Sequence, residues 1–524
     1  MNGNLKKAIA LFISFITVLL LISLYLNDWH FIYVIDDPYI HMTIAKNFST
    51  LGLWAVNGMS FVSATSSPLW SLLISGLYFI TGVNPYIPFI LNILFSIAAI
   101  WLVSVMLKKF KLEKYSFTVI LVFIIISPLP ALVFTGMEHI AQIFFALLFV
   151  YLSSAHISEN KKIGEILPLI IISAILTALR YEDMFLVFSV SVIFILRKKY
   201  FAAILVFAAG LLPIIVYGII SESHNWMFLP NPVLVKSNLP AFSIIEALKI
   251  PFRAVKKMLE PDILFILPVS IYVYIKCRSI KISGLNQKQL MFYIFIIAYV
   301  LHMLFAQTGW YFRYEAYLVS LGIIVLWLNI YDHLPAIFNP TASDEKVKRP
   351  IFKRIFIVLI IVSLCGRTVA SLFVPQSTNN IYNQQYQMAM LLNRLPQNTV
   401  IAANDIGMIN FYSDKTVVDL WGLADLDAAK YKIAHTYNTA KIDSITNAKN
   451  VKIAVLYEPW FAQYGGLPHK WQKIGEWKMT RLNIVCGNET VSFYSLDSSQ
   501  TESYRRTLEG FSKELPASVI YSAN

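Results

Sequence analysis

The residues best suited to chemistry stand just beyond the first apolar run, where Asp36-Asp37-Pro38-Tyr39-Ile40-His41 sets two carboxylates side by side. Two adjacent carboxylates at the mouth of a membrane cavity can serve as a general base or hold a divalent cation. A structural reading competes for Asp37, because an aspartate followed by proline also starts helices. Asp36 has no such duty in the sequence, and His41, one turn past Asp37, reads equally as a surface histidine and as a ligand. Three more segments bring charge to the same boundary: Thr135-Gly136-Met137-Glu138, Arg180-Tyr181-Glu182-Asp183 and Arg313-Tyr314-Glu315. Each alone reads as an interfacial cap, since aromatic and charged residues gather where a membrane meets water. Together, carboxylates on three loops and arginines on two suit a polar site for an anionic lipid headgroup.

The elements that position these loops follow from composition. Of 524 residues, 57% are hydrophobic and 14% charged, against about 25% charged in soluble proteins, and the mean hydropathy is +0.62. Many apolar blocks approach the roughly 20 residues that cross a bilayer as helix. A disordered chain, a nucleic-acid-binding domain and a secreted disulfide scaffold are excluded. The chain reads as a polytopic α-helical membrane protein with eleven spans: Ile9–Leu26, Tyr86–Leu107, Phe117–Leu132, Ile140–Tyr151, Ile166–Leu179, Phe185–Leu196, Phe201–Ile220, Ile263–Ile275, Met291–Ala306, Tyr317–Ile330 and Ile355–Phe373. The first follows Lys6 and Lys7 without a cleavage pattern and reads as an uncleaved anchor. Cys277, Cys365 and Cys486 show neither metal-binding nor redox spacing.

Charge sets the orientation. The net charge is +13, and residues 1–372 carry +12 of it, the mark of cytoplasmic loops. If the run Pro68–Ile80 dips into the membrane without crossing, the inner loops hold 20 basic residues and the outer loops 8. The N-terminus is then cytoplasmic, and residues 27–85 form a long first outer loop with re-entrant or juxtamembrane helices. Residues 1–373 are the transmembrane domain and 374–524 an outer α/β soluble domain. In that outer domain Val400–Ala403, Thr416–Leu420, Lys452–Tyr457 and Val491–Leu496 read as strands, and Asn383–Asn393 has helical spacing.

Six motifs in order carry a resemblance: Asp36-Asp37-Pro38-Tyr39-Ile40; Ser66-Ser67-Pro68-Leu69-Trp70; Thr135-Gly136-Met137-Glu138; Arg180-Tyr181-Glu182; Leu229-Pro230-Asn231 with Lys236; and Asp405-Ile406-Gly407 through Tyr412-Ser413 to Asp419-Leu420-Trp421-Gly422-Leu423. The chain resembles the GT-C superfamily of polyprenyl-phosphate-sugar-dependent glycosyltransferases, most closely the envelope arabinofuranosyltransferases. The resemblance implies that Asp36 is the catalytic carboxylate, with Asp37 assisting and Glu138 a second acidic group. Family members often carry Arg where Thr43 and Lys46 stand, so the donor phosphate falls to Lys46, Arg180, Lys236 and Arg313, with His41 and Glu182 among the substrate-binding residues.

The expectation is a multi-pass enzyme of the cytoplasmic (inner) membrane that moves a sugar from a polyprenyl-phosphate donor to an envelope glycan, lipid or protein on the outer face. No nucleotide or nucleic acid is involved, and a divalent cation stays open. The departing phosphate is already a good leaving group, so the enzyme needs a base, positive charge and a groove for the lipid tail. A transporter or flippase of a lipid-linked substrate is the rival from another class; it would place ionisable groups near the midplane in repeated halves. An oligosaccharide ligase of the same superfamily fits the sequence equally well.

Overall fold

The computed structural model describes residues 3–58, 60–236, 244–261, 263–278, 280–331 and 349–524, with side chains for all of these except 236, 244–247 and 349–357. Each of the eleven apolar runs is helical. Five helices are long and apolar enough to cross a membrane: Gly3–Leu26, Ile87–Lys109, His139–Ser158, Tyr200–Ser223 and Gln287–Phe305. Others are shorter, including Leu167–Leu179, Met184–Leu196, Ile266–Cys277 and Ala316–Ile330. The run from Phe117 is not one rod: Ser116–Ile126 stops at Ser127-Pro128, and a short helix, Leu129–Val133, follows. Proline there removes a backbone donor and clashes with the preceding turn. The protein is a multi-pass membrane protein, its helices packed around one continuous apolar cluster.

The first long connection carries two helices. Asp37–Leu51 begins with Pro38 in its first turn and ends at Gly52, whose φ of 68° takes the left-handed conformation that closes helices. Pro68–Thr81 packs against it through Trp70, Ile74 and Tyr78. Trp70 also donates its indole N–H to the Gly136 carbonyl at 3.1 Å, which fixes this loop to the one before His139–Ser158. At Gly136, φ is +64° and a Cβ would press on the Tyr33 ring, so the turn requires glycine.

Beyond the helix Arg349–Leu372 the chain bends by 44° into the helical stretch 374–392. The expected helix 383–393 thus starts nine residues early, and its middle, Tyr382–Tyr386, is a π-helical turn. A six-stranded mixed sheet follows, in the order β2-β1-β3-β5-β4-β6. Its strands are β1 (Val400–Ala403), β2 (Thr416–Asp419), β3 (Ile453–Leu456), β4 (Gln472–Met479), β5 (Thr490–Ser495) and β6 (Val519–Ala523). β1 pairs parallel with β2 and β3, while the other pairings are antiparallel. All four expected strands are present; β4 and β6 are additions. The short helix after β1, Gly407–Tyr412, packs on Asp37–Leu51 and so joins this unit to the first long connection.

Candidate active site

Asp36 precedes the helix it was expected to leave alone, and its carboxylate caps a different one. It accepts hydrogen bonds from the N–H groups of Gly407 and Met408, the latter at 2.8 Å. A Cβ at position 407 would overlap the Asp36 carboxylate and backbone oxygen, so glycine is what permits the approach. The sequence reading that Asp36 has no structural duty is therefore corrected: it fastens the two parts of the chain. Asp405 stands beside it, within hydrogen-bonding reach of its carboxyl. Burial pushes Asp36 well above the usual carboxylate range and the Asp405 charge pushes it further; the two backbone N–H groups oppose this. Asp405 is aimed by Gln385, whose amide donates to it at 2.7 Å and to the Tyr457 hydroxyl at 2.9 Å. Gln385 comes from the π-helical turn, a device that often re-aims side chains at functional sites.

Asp37, one residue on, faces the opposite environment. Its carboxylate pairs with the Arg313 guanidinium. Arg313 follows a turn in which Gly309, Trp310, Tyr311 and Phe312 all have positive φ, between 46° and 84°. Left-handed backbone costs an L-residue roughly 1–2 kcal/mol, so surrounding structure must hold it. Gly309 N–H donates to Glu315 at 2.8 Å, Glu315 pairs with Arg367 at 3.3 Å, and Arg367 lies over the Phe312 ring at 5.0 Å. Arg367, fully buried within an apolar helix, also donates to the Ile126 carbonyl. Nothing in the sequence marked it for this role.

A second ion cluster lies alongside. Arg180 grips Glu182 through two nitrogens, at 2.6 and 3.2 Å, and Glu138 through a third at 3.0 Å. Burial would raise the Glu138 carboxyl, but His139, Arg180 and His41 bring it down to about 2. Burial also works against the Arg180 charge, and Glu182 and Glu138 more than restore it. Both arginines lie against the Tyr314 ring, Arg180 at 5.7 Å and Arg313 at 5.0 Å from its centre.

Two cavities meet at these residues. One, of about 330 Å³, is lined by Asp36, Asp37, Asn404, Asp405, Trp421 and Trp460 among others. The second, of about 230 Å³, has Arg180 and Glu182 with Phe185, Val233 and Phe305. Asp37, Gln307, Arg313 and Tyr314 line both. Of the other candidate residues, His41 is buried against Ser71 and Thr65 at 2.9 and 3.0 Å. Lys46 donates to the Phe411 carbonyl and lines neither cavity. Lys236 ends the helix Asn231–Lys236, and its side chain lies outside the described residues. Among the described residues, no group of three or more His, Cys, Asp or Glu side chains is arranged to hold a metal ion.

A family model described as a domain of unknown function (DUF8728) matches residues 379–494. No curated protein matches the sequence. Among solved structures, the archaeal oligosaccharyltransferase of Archaeoglobus fulgidus, in complex with Zn and sulfate, has a TM-score of 0.47 at 10% identity, covering 89% of this chain and 72% of that one. ArnT from Cupriavidus metallidurans, bound to undecaprenyl phosphate, has a TM-score of 0.50 at 9% identity over 93% of this chain and 98% of that one. The chain is thus similar over nearly its whole length to ArnT and shares its fold.

Proposed function

We propose that this protein is a membrane glycosyltransferase that moves a sugar from a polyprenyl-phosphate donor to an acceptor on the outer face of the cytoplasmic membrane. The carrying observation is the shared wall: Asp37, Gln307, Arg313 and Tyr314 line both cavities, so an acidic chamber and an arginine-lined chamber with apolar walls adjoin. The lipid phosphate bound to ArnT, a protein of the same fold, supports this reading. The donor phosphate enters between Arg180 and Arg313, with Phe185, Val233 and Phe305 beside the lipid. Glu182 competes with the phosphate for the Arg180 fork.

Asp36 takes the proton of the acceptor hydroxyl as its oxygen bonds to the anomeric carbon. The bond from that carbon to the phosphate oxygen breaks, its electron pair leaves with the phosphate, and the arginines stabilise the growing charge. A raised affinity for protons makes Asp36 the stronger base of the pair. A second reading exchanges Asp36 and Asp37, because Asp37 borders both chambers. Glu138 keeps Arg180 in place.

The deciding experiment offers the purified protein a panel of radiolabelled polyprenyl-phosphate sugars and follows label transferred to water or to envelope acceptors. Release from at least one donor is expected; a folded protein inert towards every donor sinks the proposal. The orientation, with eleven spans and residues 374–524 outside, predicts that a cysteine at the exposed Ser499 reacts with an impermeant thiol reagent added to intact cells. One at the exposed Asn160 should not.

A further inference from the structure

The larger cavity has a wall that the reaction above leaves unused. Trp310, Trp421 and Trp460, three of the eleven tryptophans in the chain, line it together with Asp36 and Asp37. Trp421 and Trp460 come from the sheet-bearing unit, meet at 4.7 Å with 57° between their planes, and line the same cavity as the carboxylates. Asn404 and Asp405 stand in the same wall. A sugar ring has an apolar C–H face and a rim of hydroxyls. The negative π-face of an indole suits the first, and nearby carboxylate and amide groups suit the second.

Both indoles are held rigidly. The Lys432 ammonium, buried and without a hydrogen-bond partner, covers one face of Trp421 at 3.0 Å from the ring centre. The Asp419 carboxylate accepts from the N–H groups of Trp421 and Ala424, each at 2.7 Å, which fixes the loop. The Trp460 indole donates to the Gly487 carbonyl at 3.3 Å. A Cβ at Gly487 would overlap that indole, so the glycine makes its seat. Preorganised aromatic surface binds at lower entropic cost than a mobile side chain.

We propose that Trp421 and Trp460 form a saccharide platform, and that the acceptor is a glycan whose terminal sugar stacks there with a hydroxyl turned to Asp36. The inference rests on the transferase reading and names its acceptor class. We assign the platform to the acceptor because the groups given above to the donor phosphate and lipid, Arg180, Phe185, Val233 and Phe305, line the other cavity and not this one.

The test is saturation-transfer NMR on the full-length chain in lipid nanodiscs, without donor, using methyl pyranosides and methyl furanosides of the common sugars with sorbitol as the acyclic control. Ring C–H protons of at least one glycoside should receive saturation. The signal should fall roughly tenfold in Trp421→Ala and Trp460→Ala, a loss typical of a buried aromatic anchor, and recover in part in Trp460→Phe. Circular dichroism and thermal melting confirm that each variant folds. In the transfer assay the same alanine variants should raise the acceptor KM more than the donor KM. No saturation of any glycoside, equal saturation of sorbitol, or binding indifferent to both tryptophans overturns the platform. Since binding is read without donor, such a result leaves transfer intact, whereas glycoside binding by a protein that transfers nothing sinks only the transferase reading.

Discussion

The two walls of the site solve the burial of charge in opposite ways. On the membrane side each acid meets a base: Asp37 with Arg313, and Glu138 and Glu182 with Arg180. On the side of the sheet-bearing unit like meets like, as the Asp36 carboxylate, which accepts from the N–H groups of Gly407 and Met408, sits beside Asp405. Glu138 is consequently driven down to about 2 while Asp36 is driven up. Neighbours in sequence, Asp36 and Asp37, fall on either side of this divide. A proton acceptor benefits from the second environment and a phosphate site from the first, and the divide runs between two consecutive residues.

Removing the base should break the contrast most severely. In Asp36→Asn, kcat for transfer is expected to fall by about 10²- to 10⁴-fold, the range of a positioned general base, while the protein still folds. Asp37→Asn should cost less. Near-normal turnover by Asp36→Asn removes the assignment, and a larger loss in Asp37→Asn exchanges the roles.

The membrane wall should fail next at a residue that touches neither cavity. Arg367→Leu leaves Glu315 buried without its partner, which costs about 3–5 kcal/mol in such pairs, and frees the left-handed turn that carries Arg313. Thermal melting in nanodiscs should show a clear drop; an unchanged melting temperature would mean that the turn is held by other contacts.

The arginines sharpen the comparison by their shape. Lysine keeps the charge and loses the fork, so Arg180→Lys and Arg313→Lys should each raise the donor KM by roughly tenfold, the loss of one charge-assisted hydrogen bond. Arg394→Lys is the control, since Arg394 pairs with Glu514 on the surface with more than half of each side chain exposed. Glu182→Gln should move the donor KM downward, because it removes the phosphate's competitor. Indifference of both arginine variants would leave the phosphate site to other cations.

The smallest effect is a displacement along the pH axis. With Asp36 as the proposed base, transfer would require it unprotonated, and the acid limb of kcat/KM should rise with pH through its raised pKa. Asp405→Asn removes the like charge, lowers that pKa and should move the limb to lower pH. The linked stability runs the other way: what a raised carboxyl contributes below its unfolded pKa is lost as pH rises through the folded one. Wild type should therefore lose stability with rising pH in that window, and Asp405→Asn should lose less. A limb that stays put excludes Asp405 from tuning the base.

Much of this architecture was legible in the residues because its causes are local. Helical apolar runs and alternating β-branched segments report burial along one element, so the helix Ile87–Lys109 covers nearly all of the expected run Tyr86–Leu107, and the strand Val400–Ala403 falls where its pattern puts it. The charged loops Glu138, Arg180 and Arg313 were visible as breaks between such runs. β4 was missed because Gln472–Met479 mixes charge with apolar residues, and β6 because five residues near the end of the chain carry little period. What pairs with what was not local. Asp36 meets Gly407 across 371 positions, Arg367 hides inside an apolar run until Glu315 reaches it, and Trp460 becomes a cavity wall only because Gly487 has no side chain. Periodicity is a property of neighbours along the chain, whereas charge pairing and cavity walls depend on distance through space, which the packing of distant elements sets.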